Sequence, residues 1–253
     1  MIRFEQLMEA TKRPEVSGLK TGAFSEQDIA NLILQRSEII RDQNHPGRAI
    51  KAWTKGDSRP LNAIVDKLGT ELIHRAASII FLEYQEISKA IKDSAPTKIA
   101  DIGCGYAFFD YFLYRNTQAH LYLIDLEETE ERHFGFSNSG AAYSSLNVAR
   151  TFLQDNGVPE KSLTCINPIR QEVLKLPKID LAMSFISCGF HYPLSTYDTF
   201  FKDRIKKGGA IIVDIRNRNL KTERAVLESY GETEKLTKSA NGNATRFISR
   251  ILH

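Results

Sequence analysis

Lys98-Ile-Ala-Asp101-Ile-Gly103-Cys104-Gly105-Tyr-Ala107-Phe108 is the stretch that decides the fold, together with His120-Leu-Tyr-Leu-Ile-Asp125 a little further on. Lys98 to Ile102 is short, mostly apolar and runs into glycines, so it reads as a buried strand entering a tight turn. Gly103 and Gly105 let the backbone turn sharply and approach a ligand with no Cβ in the way. Phe108 to Arg115 is long enough for two helical turns, and its aromatic side chains suit a face packed on a sheet. His120 to Ile124 is a second strand with Asp125 at its carboxyl end. Strand, glycine turn, helix, strand and acid together make half of a nucleotide-binding α/β unit.

The dinucleotide pattern G-x-G-x-x-G fails here, because Phe108 stands at the third glycine position. Asp101, two residues before the first glycine, points elsewhere. Asp101-Ile-Gly103-Cys-Gly105-Tyr-Ala107 resembles motif I of the class I S-adenosylmethionine (SAM) dependent methyltransferases, D/E-x-G-x-G-x-G, with Ala107 at the third glycine. The resemblance implies SAM as cofactor and S-adenosylhomocysteine as product. It implies cofactor contacts from Asp101, Gly103, Cys104, Gly105, Asp125 and Leu126, with Asp125 on the ribose hydroxyls. Cys104 reads first as a small space-filling residue of the turn, and as a lining of the cofactor pocket second.

Downstream, Ser162 to Ile166 is a third strand ended by Asn167-Pro168. In the family, the residue after this strand lies beside the adenine, which makes Asn167 a candidate contact; a turn residue before proline is the other reading. Lys178 to Phe185 is a fourth strand, leading into Ile186-Ser-Cys-Gly-Phe-His191-Tyr192-Pro193. That place resembles the family's motif IV, which passes the transferable methyl group. The [D/N]-P-P-[Y/F] of base methyltransferases is absent, since the chain has Ser184-Phe185-Ile186-Ser187. Phe185 is a further cofactor candidate. His191 is the candidate general base, because imidazole titrates near neutrality, and Tyr192 is a candidate for holding the acceptor.

Leu194 to Lys206 reads as a helix, stopped by Lys207-Gly208-Gly209, and Ala210 to Ile215 as a fifth strand. Arg216-Asn-Arg-Asn219 follows at the binding edge, where Arg216 is suited to an anionic or sugar-like substrate. Thr222 to Tyr230 is helical. Two strand-like runs flank Asn241-Gly242, a hairpin signal. Five parallel strands and a terminal hairpin are the family's sheet. The expectation is a Rossmann-like three-layer α/β sandwich with a seven-stranded, mostly parallel sheet over residues 96–253, preceded by an all-helical segment over residues 1–95.

In that leading segment, Met1 to Ala23 reads as a partly ordered arm. Ser25-Glu-Gln-Asp28 has the form of a capping box and opens a helix to about Arg41. A long helical region runs from about Leu61 to Lys92, divided at Gly69. Asp125 and the next helix, near Ser144 or Ser145, are separated by close to twenty residues, where α/β connections span about 2–6. The connection leaves the carboxyl edge of a strand, so it reads as a lid or substrate loop with His133, Phe136 and Tyr143 as candidate contacts, or as a surface insertion.

Composition sets the outer limits. The chain has 253 residues, 42% hydrophobic and 26% charged, with a net charge of +3. That charge is too small to argue for nucleic acid or a membrane surface. The three cysteines show no metal spacing and, being odd in number, no disulfide framework. No apolar run approaches a membrane span, and a reducing cytoplasm is the expected setting. No metal-ligand pattern stands out. The function expected is SAM-dependent, metal-independent O-methylation of a small polar acceptor, such as a sugar or metabolite hydroxyl; a homo-oligomer is left open. A methyltransferase of RNA or protein, and a SAM-binding protein without activity, are the alternatives.

Overall fold

The computed structural model of the protein describes residues 2–126 and 144–252. His133, Phe136 and Tyr143 therefore lie outside the described residues. The strands are β1 (Lys98–Ile102), β2 (His120–Ile124), β3 (Leu163–Ile166), β4 (Ile179–Ser184), β5 (Ile205–Arg216), β6 (Glu232–Ser239) and β7 (Ala244–Arg250). They form one sheet in the order β3-β2-β1-β4-β5-β7-β6. The first five are parallel, and β7 lies antiparallel between β5 and β6. This is the sandwich with a terminal hairpin that the sequence leads one to expect.

Both faces of the parallel strands are covered, which is why they read as nearly continuous apolar runs. Alternate residues go to opposite faces. Ile99, Leu121, Leu123, Leu181, Met183 and Ile212 enter one core. Ala100, Ile102, Ile124, Ala182, Ile211 and Val213 enter the other. The first core is shared with α7 (Phe108–Thr117), α8 (Leu146–Asp155) and the N-terminal helices; the second is closed by α9 (Asp198–Arg204) and α10 (Leu220–Glu228).

The N-terminal helices are α1 (Phe4–Ala10), α2 (Pro14–Ser17), α3 (Glu26–Gln35), α4 (Pro46–Trp53), α5 (Arg59–Leu68) and α6 (Glu71–Asp93). Residues 2–23 are not a loose arm: Leu7, Val16 and Leu19 are buried in the common core. The cap of α3 forms as its sequence predicts. Ser25 Oγ accepts from the Asp28 N–H at 3.2 Å, and Asp28 Oδ2 accepts from the Ser25 N–H at 2.9 Å. The helix ends at Gln35 rather than Arg41, because Arg36 leaves helical geometry (φ −135°, ψ 69°) and turns its guanidinium onto Glu83. Gly69, at φ +51°, separates α5 from α6. Lys207, Gly208 and Gly209 belong to β5 instead of preceding it.

Candidate functional site

The order of strands reverses between β1 and β4, and open α/β sheets bind ligands at the carboxyl edge of such a switch. The glycine turn lies there. The Gly103 N–H donates to the Ile124 carbonyl at 2.7 Å, and the Gly105 N–H donates to Asp125 Oδ2 at 2.6 Å. Gly103 has φ +79°, and a Cβ on it would sit 2.1 Å from Ser187 Oγ, so no other residue fits. Ala107 caps α7 at φ +59°, a left-handed conformation that an alanine adopts at a cost of roughly 1–2 kcal/mol. This strained point is the third glycine position of the motif.

Two carboxyl groups lie beneath the turn. Asp101 on β1 and Asp110 on the first turn of α7 are both buried. No N–H or hydroxyl reaches Asp101 Oδ1 or either oxygen of Asp110. Burial, with the two carboxyls acting on each other, favours the protonated form in this pair. Burial, and then the neighbouring Asp110, push Asp101 well above the usual carboxylate range, and burial raises Asp110 to about 7.

A cavity of about 1050 Å³ opens over this edge. At one end its walls are the glycine turn, Asp125, Leu126 and Ile169; at the other they are Arg36, Glu83, Phe185, His191, Asn241 and Asn243. The end of α3 forms the facing wall, with Leu34, Gln35 and Arg36. That wall is tied to the turn by Tyr106. Its hydroxyl donates to Asp28 Oδ1 at 2.8 Å and accepts from Asn31 Nδ2 at 3.2 Å.

The connection after β4 crosses the middle of the cavity. Ser184 Oγ donates to the Ile102 carbonyl at 2.7 Å and accepts from the Cys188 N–H at 2.9 Å, which joins the loop to β1. Ile186 has φ +52°, a costly conformation for a β-branched residue. It presses Ser187 onto Gly103, and Ser187 Oγ meets Tyr192 Oη at 2.9 Å. Burial holds the Tyr192 phenol protonated, far above its ordinary range. His191 lines the cavity, with its ring edge-on to Phe190 at 5.0 Å. His191 is exposed to solvent, yet desolvation by the protein packed around it, then Arg216 and Arg218, lower its pKa, which leaves the imidazole neutral and able to accept a proton at pH 7.

Behind the end of the cavity that Arg36, Glu83 and Phe185 line is a buried ion network. Arg246 donates to both oxygens of Asp214 at 2.8 Å each, and its guanidinium carbon stands 4.0 Å from the centre of the Phe185 ring. Glu83 accepts from Arg36 at 2.7 and 3.0 Å and from Arg246 at 3.5 Å. Helices α3 and α6 are thereby bound to β5 and β7. Among the described residues no group of three or more His, Cys, Asp or Glu is placed to hold a metal ion.

Of the residues singled out from sequence, Asp101, Gly103, Cys104, Gly105, Asp125, Leu126, Phe185, His191 and Tyr192 all line this one cavity. Asn167 does not. Its Oδ1 accepts from the Ile169 N–H at 3.1 Å and shapes the turn, while Pro168 and Ile169 face the cavity. Arg216 stands behind Phe190, with its guanidinium carbon 4.8 Å from the ring centre. Sequence reasoning missed Arg36, Glu83, Tyr106 and Ser187. Tyr106, next to a turn glycine, was the one with a local signal; the others reach the site from distant segments.

No family model matches the chain, and no curated protein matches it in sequence. Solved structures do match in shape. Ribosomal protein L11 methylase from Lactobacillus delbrueckii subsp. bulgaricus aligns with 71% of this chain and 80% of its own, at 15% identity and a TM-score of 0.50. Cofactor-bound Rv0187 from MTB aligns over 68% and 78%, at 16% identity and a TM-score of 0.47. Human N-acetylserotonin methyltransferase in complex with SAM aligns over 71% and 54%, at 10% identity and a TM-score of 0.46. The first likeness shows the fold, that of the class I SAM-dependent methyltransferases. The other two superpose too loosely to add to it.

Proposed function

We propose that the protein is a SAM-dependent methyltransferase that methylates a hydroxyl of a small polar molecule. One observation carries the reading: the glycine turn and Asp125 are joined by a hydrogen bond at the wall of a cavity of about 1050 Å³, room enough for a nucleoside and a second small molecule.

The residues present fit SAM. Gly105 leaves open the space a Cβ would take, Asp101 offers a buried carboxyl, and Asp125 at the cavity wall would accept from ribose hydroxyls. SAM supplies an electrophilic methyl carbon when bound. This chain's residues then have three tasks. The walls from α3, α6 and the loop after β4 exclude water and fix the acceptor in line, the main source of rate in such a transfer. Phe185, lodged between Phe109 and Arg246, gives that wall a fixed apolar surface. His191, neutral at pH 7, takes the hydroxyl proton at one ring nitrogen as the new bond forms.

The test is a screen of hydroxylated compounds with SAM and purified protein, repeated with His191→Ala. Methyl transfer to oxygen that falls on the order of 10²-fold in the variant, with SAM affinity unchanged, supports the reading. Transfer unaffected by the substitution removes His191 as the base. SAM binding without transfer to any acceptor favours a binding protein instead.

A further inference from the structure

Beyond the cofactor end, the far wall of the cavity has its own chemistry. Asn241 and Asn243 line it, and the turn after β5, residues 217–219, lies outside the lining, fastened to their hairpin turn, residues 240–243. The Asn217 N–H donates to the Asn243 carbonyl at 2.9 Å, and Asn217 Nδ2 donates to the Gly242 carbonyl at 2.7 Å. Asn217 Oδ1 accepts from Thr245 Oγ1 at 3.0 Å, which completes its bonding. Two turns at neighbouring strand ends thus become one ledge.

The ledge holds donors and little to occupy them. Arg216 and Arg218 make no ion pair among the described residues, and the side-chain amides of Asn241 and Asn243, both at the cavity wall, have no hydrogen-bond partner there. Arg216 is half-buried and held flat on Phe190. Its N–H donates to the Gly189 carbonyl at 3.1 Å, which fixes the ledge against the loop that carries His191. Carboxylates on that side are already engaged: Glu83 by Arg36 and Arg246, Asp214 by Arg246, and Glu38 by Arg36 at 3.6 Å. Arg216, held on Phe190, together with the unpaired Arg218 and the two free amides of the hairpin turn, offers donors suited to an oxyanion.

We propose that this ledge binds an anionic group of the acceptor, a phosphate or carboxylate borne by a small molecule, with Arg216 and Arg218 as its cations and Asn241 and Asn243 as its neutral donors. The proposal rests on the methyltransferase reading for its meaning, because it names the class of acceptor. An anion seated there sets the rest of the molecule in front of His191. The same chemistry is offered by a nucleic-acid backbone, but the overall charge of +3 favours the small molecule.

The experiment uses His191 as reporter. Its imidazole is titrated by NMR, with inorganic phosphate or citrate as the probe and no SAM present. The expected result is a saturable rise in the His191 pKa with either anion, as negative charge offsets the two arginines. Arg218→Gln, at an exposed position that leaves the core intact, should bind the anions roughly tenfold more weakly. Asp125→Ala, altered at the other end of the cavity, should keep the full response. A wild-type protein that ignores SAM yet gives the phosphate response leaves the ledge standing and defeats the cofactor reading. A His191 titration indifferent to phosphate and citrate overturns the ledge. Oligouridylate that shifts His191 where both small anions fail overturns the small-molecule assignment.

Discussion

Gly105 donates its backbone N–H to Asp125 Oδ2 across 2.6 Å, so the turn after β1 and the acid after β2 are one structural unit. Removing the Asp125 carboxylate leaves that N–H without this partner. A hydrogen bond to a charged acceptor contributes about 1.5–3 kcal/mol, enough to hold the turn in its ligand-ready shape.

The approach of Ser187 to Gly103 gives the first prediction. A methyl group at position 103 overlaps the Ser187 side chain and suffers the strain of φ +79°. Gly103→Ala should lower stability by about 2–4 kcal/mol, measured by urea denaturation, and should abolish SAM binding. Adding Ser187→Gly to that variant should restore part of the stability, because the obstructing side chain is removed.

The Asp101–Asp110 pair gives a pH dependence of definite sign. Both carboxyls titrate above their unfolded value of about 4, with Asp110 at about 7. The native state therefore holds a proton that the unfolded state releases. Stability from this pair is fully present below about pH 4 and is lost as pH rises through about 7. Asp110→Asn keeps a donor without the titration. Its stability relative to the wild type should improve by on the order of 1–3 kcal/mol between pH 5 and pH 9. Denaturation curves at several pH values give the comparison, and parallel profiles would show that no proton is shared.

Arg246 is buried against Asp214 and has no exposed surface. Arg246→Ala leaves Asp214 charged and unpaired and should cost about 3–5 kcal/mol. The double variant Arg246→Leu with Asp214→Leu should recover most of that loss, because two apolar residues replace a desolvated pair. Thermal or chemical denaturation of the three proteins tests this.

Tyr106 joins the glycine turn to α3 through Asp28 and Asn31. Tyr106→Phe removes both bonds, each contributing about 0.5–1.5 kcal/mol, and retains the ring. The variant should fold, lose on the order of 1–2 kcal/mol of stability, and bind SAM more weakly because the facing wall is looser. An unchanged dissociation constant would separate the helical cap from the cofactor end.

Neutral His191 is the form that accepts a proton, and its pKa is lowered from the usual imidazole value by desolvation and then by Arg216 and Arg218. The rate should fall with pH through that lowered value, so the acid limb of the profile lies below the ordinary imidazole range. Arg218→Gln should move the limb upward. A limb at the same place in both proteins would show that another group titrates.

The parts of the fold visible in the sequence were those set by short-range chemistry. The strand from Lys98 to Ile102, the glycine turn, the capping box at Ser25 and the break at Gly69 each follow from neighbouring residues, and all stand where expected. The end of α3 was not legible. Arg36 leaves helical geometry at the point where its guanidinium meets Glu83, 47 positions away, a contact that nothing local announces. The reading of β5 stopped at Gly208 and Gly209 because glycine disfavours strands, yet the Ile251 carbonyl accepts from the Gly208 N–H and the Ile251 N–H donates to the Gly209 carbonyl. Within the site, Asp101, Asp125 and His191 were visible because each is a chemical residue beside a predicted strand end. Ser187, Glu83 and Asn241 were not, because their roles arise from register across the sheet and from α6 packing on it. Asn167 looked like a ligand residue from position alone, and its side chain is occupied by its own turn.

Calorimetric titration of the purified protein with SAM and with S-adenosylhomocysteine, beside Asp125→Ala, tests the central claim most directly. Binding of both ligands by the wild type, weakened roughly tenfold to a hundredfold in the variant, is the predicted result. A folded wild-type protein that binds neither ligand would contradict the account and return the glycine turn to the status of scaffold.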